Sequence, residues 1–128
     1  MDIIQPVLLD MKNKDYSSAL SKLNQIIKIN KNLSFEYNLK ADILIKLGNY
    51  KEAKKIFQEG VKARKLPERC LLGLGMMEER NHQYNQAHNY YIKSIKENPT
   101  PEAYNQLGYL YHRGLGKVKN EKKAKQYY

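Results

Sequence analysis

Apolar positions along the chain recur with a helical period and are centred on a small residue. In 48–57, GNYKEAKKIF, a Gly-Asn break is followed by Tyr50, Ala53 and Phe57 at spacings of three and four. That spacing puts all three on one face of a helix. The pattern returns in DYSSALSKL (Tyr16, Ala19, Leu23) and in QYNQAHNYY (Tyr84, Ala87, Tyr91), and the three alanines are evenly spaced. A fourth copy, NEKKAKQYY, carries Ala124 and Tyr128 after a slightly longer interval. A fixed period of roughly 34 residues marks a repeat architecture.

Upstream of each copy lies another segment with apolar residues at helical spacing. Residues 34–47 carry Tyr37, Ala41, Leu44 and Ile45; residues 68–81 carry Leu71, Leu74, Gly75 and Met77. Residues 102–113 carry Tyr104, Leu107, Gly108, Leu110 and Tyr111. The unit is therefore helix, turn, helix. Two helices reach the short end of the ~8–10 Å packing range only where the crossing side chains are small. Ala41 with Ala53, and Gly75 with Ala87, are the expected crossing residues, with Tyr50 and Phe57 filling the space one turn to either side. A glycine inside a helix costs about 1 kcal/mol against alanine, so Gly75 and Gly108 belong where close packing needs them. Pro67 and Pro101 suit first helical positions, and Asn98-Pro99 closes the preceding helix. Gly48 breaks the chain between two helices, and Pro6 points to a short first helix from about Gln5.

This repeated helix pair resembles the tetratricopeptide repeat (TPR). The matching residues are Leu74-Gly75, Tyr84, Ala87, Tyr91 and Asn98-Pro99, and before them Tyr37, Ala41, Leu44, Gly48, Tyr50, Ala53 and Phe57. The first unit matches only in its second helix and looks like a degenerate cap. The last stretch is similar to the related SEL-like repeat, through Ala103, Leu107-Gly108, Tyr111, Gly114-Leu115-Gly116, Lys123-Ala124 and Tyr127-Tyr128. The resemblance implies an all-α fold, a right-handed superhelical solenoid of antiparallel hairpins. It gives one repeat domain over 1–128, with units at approximately 5–32, 33–66, 67–99 and 100–128. The sequence stops where the final helix should continue, as in a fragment of a longer solenoid, and that truncated repeat is a candidate surface for oligomerisation.

Composition narrows the function more than the fold. One cysteine, Cys70, excludes an internal disulfide and fits a reducing, cytoplasmic compartment. The start lacks the basic n-region of a signal peptide. No apolar run approaches the ~20 residues needed to span a bilayer. No constellation of catalytic groups, no phosphate-cradling loop and no metal-ligand spacing occurs among His82, His88, His112 and Cys70. The chain is expected to be no enzyme and to need no cofactor. Two of the three histidines should be surface residues, Cys70 a small buried residue, and Glu78-Glu79-Arg80 a solvated face with one member turned inward. The formal net charge of +10 raises nucleic-acid binding as an alternative, but the cations are interleaved with 13 acids. Only Lys117, Lys119, Lys122, Lys123 and Lys125 cluster.

Stacked helix pairs coil into a superhelix whose first helices line a concave groove. The resemblance implies that groove residues lie on the first helix, facing away from its partner. Here these are Phe35, Asn38, Asp42, Ile45 and Lys46, then Arg69, Leu72, Met76, Glu79 and Arg80. In the last unit they are Glu102, Asn105, Tyr109, His112 and Arg113. Leu72, Met76 and Tyr109 would be exposed apolar residues in an empty groove, and Arg69, Arg80 and Arg113 suit carboxylates on a partner. The expected function is a protein-interaction scaffold or adaptor that holds a peptide or helix, apolar with acidic residues. A regulatory module of a larger enzyme or secretion machine is the further alternative. The TPR subclass that clamps a C-terminal carboxylate is rejected, because its places hold Ile4, Leu8, Leu39, Arg69 and Gly73, of which only Arg69 is compatible.

Overall fold

A computed structural model describes residues 3–30 and 33–113. Among these the chain forms seven α-helices and no strand: α1 (Gln5–Lys12), α2 (Tyr16–Ile29), α3 (Glu36–Lys46), α4 (Tyr50–Lys62), α5 (Pro67–Arg80), α6 (Tyr84–Glu97) and α7 (Pro101–Arg113). Each helix packs on the next in sequence, and the first helices α3 and α5 also touch each other directly. This is the all-α repeat solenoid that the fixed period predicts. The expected SEL-like segment at 114–116, the Lys117–Lys125 cluster and the fourth motif at Ala124 and Tyr128 lie outside the described residues.

The helix starts follow local chemistry. Asp15 caps α2 by accepting from Ser18 N–H at 3.3 Å, and Thr100 Oγ1 accepts from Ala103 N–H at 3.3 Å at the head of α7. Proline opens α5 and α7, where its missing N–H costs no bond. The ends of the first helices share one device. Lys14, Gly48 and His82 stand at the same place in successive repeats, and all adopt left-handed backbone, with φ of 62°, 85° and 61°. Beside each, a pair of backbone bonds closes a Schellman motif: Lys14 N–H to Met11 O and Asp15 N–H to Asp10 O, and the same at 48–49 and 82–83. Only Gly48 takes this conformation without steric cost.

The core runs as three linked clusters. Val7, Ala19, Leu23 and Ile43 join α1, α2 and α3. Ala41, Leu44, Ala53, Phe57, Cys70, Leu74 and Met77 join α3, α4 and α5. Ala87, Tyr91, Leu107, Leu110 and Tyr111 join α6 and α7. The alanines at the predicted crossings, Ala41, Ala53 and Ala87, are fully buried. Two glycines make room for rings. A methyl at Gly75 would lie 2.5 Å from Cε1 of Tyr91, and one at Gly73 would lie 2.4 Å from Cζ of Phe57. Tyr91 is fully buried, and its hydroxyl donates to Glu79 Oε1 at 2.8 Å. The expected packing role of Tyr50 is not met. Phe57 is buried, but Tyr50, at the first position of α4, is 39% exposed and its ring faces Arg80 of the next hairpin.

Polar groups tie the layers together. Glu78 is the inward-turned member of its run, buried and paired with Lys54 Nζ at 2.8 Å. Ser94 Oγ donates to Glu68 O at 2.7 Å. Arg64 grips Glu97 through two hydrogen bonds of 2.9 and 2.8 Å, joining the α4–α5 turn to the end of α6. Cys70 is buried, donates to Lys65 O at 3.4 Å, and is pushed up to about 11 by burial.

Candidate functional site

The helix ends of α3 and α5, with Met11 of α1, frame a cleft of about 410 Å³. Asp42, Ile45 and Lys46 come from α3, and Gly73, Met76, Met77 and Arg80 from α5. Tyr50 and Phe57 of α4 close one side. Five of the sequence-predicted groove residues therefore meet here: Asp42, Ile45, Lys46, Met76 and Arg80. The local reason is the helical period. Asp42 and Lys46 are one turn apart on α3, as are Met76 and Arg80 on α5, and the contact between the two helices places the pairs side by side.

The cleft is apolar in its floor and charged at its mouth. Met76 is 48% exposed, while Ile45 and Met77 pack into the core beneath it. Arg80 lies over the Tyr50 ring at 4.1 Å from its centroid and donates to the Tyr50 hydroxyl. This contact orders an otherwise free guanidinium at the rim. Asp42 still meets solvent, yet the protein around the cleft desolvates its carboxyl and raises its pKa, with Lys46 and Arg69 acting in the opposite direction.

Other predicted groove residues have different places. Leu72 is half-buried against the α6–α7 cluster, so the expectation of an exposed apolar residue there fails. Glu79 is half-buried and accepts the Tyr91 hydroxyl, so its carboxylate serves the fold. Asn38 is half-buried, and its Nδ2 is enclosed beside the Cys70 thiol without a hydrogen bond of ordinary geometry. Phe35 is half-buried at the N-cap of α3, while Arg69 and Glu102 are exposed. On α7, Asn105, Tyr109, His112 and Arg113 are exposed but do not line this cleft. Tyr109, at 38% exposure, is the outward member of the Tyr104, Tyr109 and Tyr111 set, and Arg113 lies over its ring at 5.7 Å.

Sequence reasoning missed five residues of the cleft: Met11, Tyr50, Phe57, Gly73 and Met77. Met11 was detectable, since it holds the place in the first repeat that Ile45 holds in the second. Tyr50 was not, because its motif position reads as packing. Elsewhere, His82 and His112 are exposed, and the half-buried His88 bonds through Nε2 to the Tyr111 hydroxyl at 2.7 Å. Among the described residues, no group of three or more His, Cys, Asp or Glu side chains could hold a metal ion. No helix among them is long and apolar enough to cross a membrane.

With this geometry in hand, known proteins offer a comparison. The family model of the Psidin N-terminal TPR repeats region matches residues 4–127. No curated protein matches the chain. Among solved structures, a crystal structure of MamA aligns with a TM-score of 0.72 at 16% identity, over 98% of this chain and 71% of that one. MamA 41-end from Desulfovibrio magneticus RS-1 aligns at 0.70 and 20% identity, over 98% and 69%. The MamA RS-1 ArsTM double mutant gives 0.71 and 20%, over 98% and 68%. At these identities the likeness concerns the fold alone.

Proposed function

The chain belongs to the family of the Psidin N-terminal TPR repeats region, and from that premise we propose that it is a non-enzymatic scaffold gripping a partner protein in its concave cleft. The observation that carries this reading is the cleft between α3 and α5, where an exposed Met76 lies between Asp42, Lys46 and Arg80. Met76 presents about half of its surface inside the cleft, above the apolar Ile45 and Met77, and methionine adapts its shape to a range of apolar ligands. The cations at the rim suit acidic groups on the partner. Its expected ligand is a peptide or helix with an apolar face and acidic residues. A reducing, cytoplasmic setting is part of the same reading, supported by the single, free and buried Cys70.

The test is affinity capture from nuclease-treated lysate with the chain, its Met76→Glu variant and its Arg80→Glu variant as baits. All three should keep the same helical circular dichroism, since both side chains are exposed. The groove reading expects one protein to be retained by the native bait and lost from both variants. Equal retention on all three baits would refute it.

A further inference from the structure

The cleft is one segment of a longer two-row pattern. Taken at equivalent places of the four first helices, Lys12, Lys46, Arg80 and Arg113 recur once per repeat, with the last step shorter by one position. All four are exposed, and none forms an ion pair with another described residue. One turn earlier stand Leu8, Asp42, Met76 and Tyr109, in the same rhythm. Leu8, Met76 and Tyr109 are among the exposed large apolar side chains, at 41, 48 and 38%. Cations in the last turn of a helix also complement its dipole, and Lys28, Lys62 and Lys96 repeat in that way on the second helices. There, however, the residues one turn earlier include the exposed and polar Asn24 and Gln58. The dipole thus explains the cations but leaves the apolar row unexplained, and among the described second helices the matching places hold Asn24, Gln58 and the half-buried Ile92, so no exposed apolar row stands there.

We propose that this double row binds an amphipathic α-helix of a partner protein carrying an acidic residue in every heptad, with a basic residue at the one apolar-face position opposite Asp42. The inference rests on the groove reading and specifies its ligand. Where first helices pack directly, as α3 and α5 do, their axes stand about 8–10 Å apart, and that is the step from one rung to the next. Seven residues of an α-helix advance about 10.5 Å and return to the same face. A β-strand cannot match this repeat, since its side chains on one face recur at about 6.7 or 13 Å. Polyproline II returns every third residue at about 9.3 Å, a spacing that also fits, but only a helix sets a continuous apolar stripe against Leu8, Met76 and Tyr109 beside its acids. A helix satisfies its own backbone. Four rungs span about 30 Å, the length of a 20-residue helix. Asp42 interrupts the apolar row between Leu8 and Met76, and a single polar position in an apolar seam fixes register.

The experiment uses synthetic three-heptad peptides and the full chain, with binding read by fluorescence anisotropy and by backbone amide shifts. The probe has leucine along one face, glutamate once per heptad beside it, and lysine at the central apolar position. It should bind and shift the amides of the ladder helices. Charge reversal at Lys12, Lys46 and Arg80 together should weaken it about tenfold, from three exposed pairs, and a peptide with lysine in place of its glutamates should recover on that variant. The gentler Lys46→Gln and Arg80→Gln variants serve if the triple reversal unfolds. Replacing the central lysine by leucine should weaken binding to the native chain and not to Asp42→Leu. Preference for a peptide with an acid at every third residue, or indifference to the reversed ladder, would overturn the inference. A partner lost from Met76→Glu in the capture experiment, together with no binding of the heptad probe, would overturn this ligand and leave the groove reading standing. Equal capture by all three baits would remove the groove itself.

Discussion

Gly75→Ala should destabilise this protein although it removes a glycine from the middle of a helix. The backbone favours the change: alanine in a helix interior is better than glycine by about 1 kcal/mol. Packing opposes it. The new methyl would sit 2.5 and 2.7 Å from Cε1 and Cδ1 of Tyr91, and 3.2 Å from Cζ. The ring cannot swing clear. It is fully buried between α5 and α7, and its hydroxyl is anchored on Glu79. Overpacking of this kind costs typically about 1–3 kcal/mol, and the absence of any escape for the ring places it at the upper end. The net loss is about 1–2 kcal/mol, or a Tm lower by roughly 5 °C for a chain of this size. The assay is urea and thermal unfolding followed by circular dichroism, with Tyr91→Leu and the double variant completing a cycle. In the Tyr91→Leu background the methyl has space, so alanine should there be neutral or stabilising. A single Gly75→Ala variant with a Tm equal to or above the parent would refute the reasoning, since propensity would then have outweighed the ring.

Two further outcomes test other parts of the structure. Lys14→Gly should raise the Tm by a few degrees and Gly48→Ala should lower it, because both sit at the same left-handed turn position and a side chain there costs about 1–2 kcal/mol, offset in part by the chain entropy of glycine; equal Tm values for all three proteins would remove the strain argument. Cys70 should resist a disulfide-exchange reagent at pH 8 in the folded protein and react fully in urea. Its thiol is buried, and burial holds it up to about 11, so the thiolate accumulates only as pH rises toward that value. Immediate reaction of the folded chain would show that the α4–α5 packing opens.

The fold was legible because one period fixed it. Ala19, Ala53 and Ala87, evenly spaced along the chain, mark where helices cross, and all three are fully buried. Half of the cleft was legible for the same reason: Asp42, Lys46, Met76 and Arg80 lie on the free face of their helices by simple counting of helical turns. Other positions turned on contacts that periodicity does not encode. Leu72 looks like a groove residue on its own helix, but it packs against the cluster formed by α6 and α7. Glu79 looks like a rim acid, but a tyrosine on the following helix claims it. Tyr50 has the identity of a core residue and the location of a rim residue, where Arg80 of the next hairpin lies over its ring.

The two rings seated over glycines differ in where their partners lie along the chain. Tyr91 on Gly75 locks a helix to its own hairpin mate, whereas Phe57 on Gly73 locks one hairpin to the next. A ring in a notch of that depth behaves as a detent: it tolerates small rocking, but sliding by one residue would drive it into a side chain. Close-packed interfaces of this sort hold discrete positions rather than deforming continuously. The pitch of the superhelix is therefore indexed at Gly73, and Phe57 and Gly73 both belong to the wall of the cleft. The joint between the two hairpins and the wall of the proposed cleft thus share Phe57 and Gly73, so a ligand pressing on that wall would press on the detent itself.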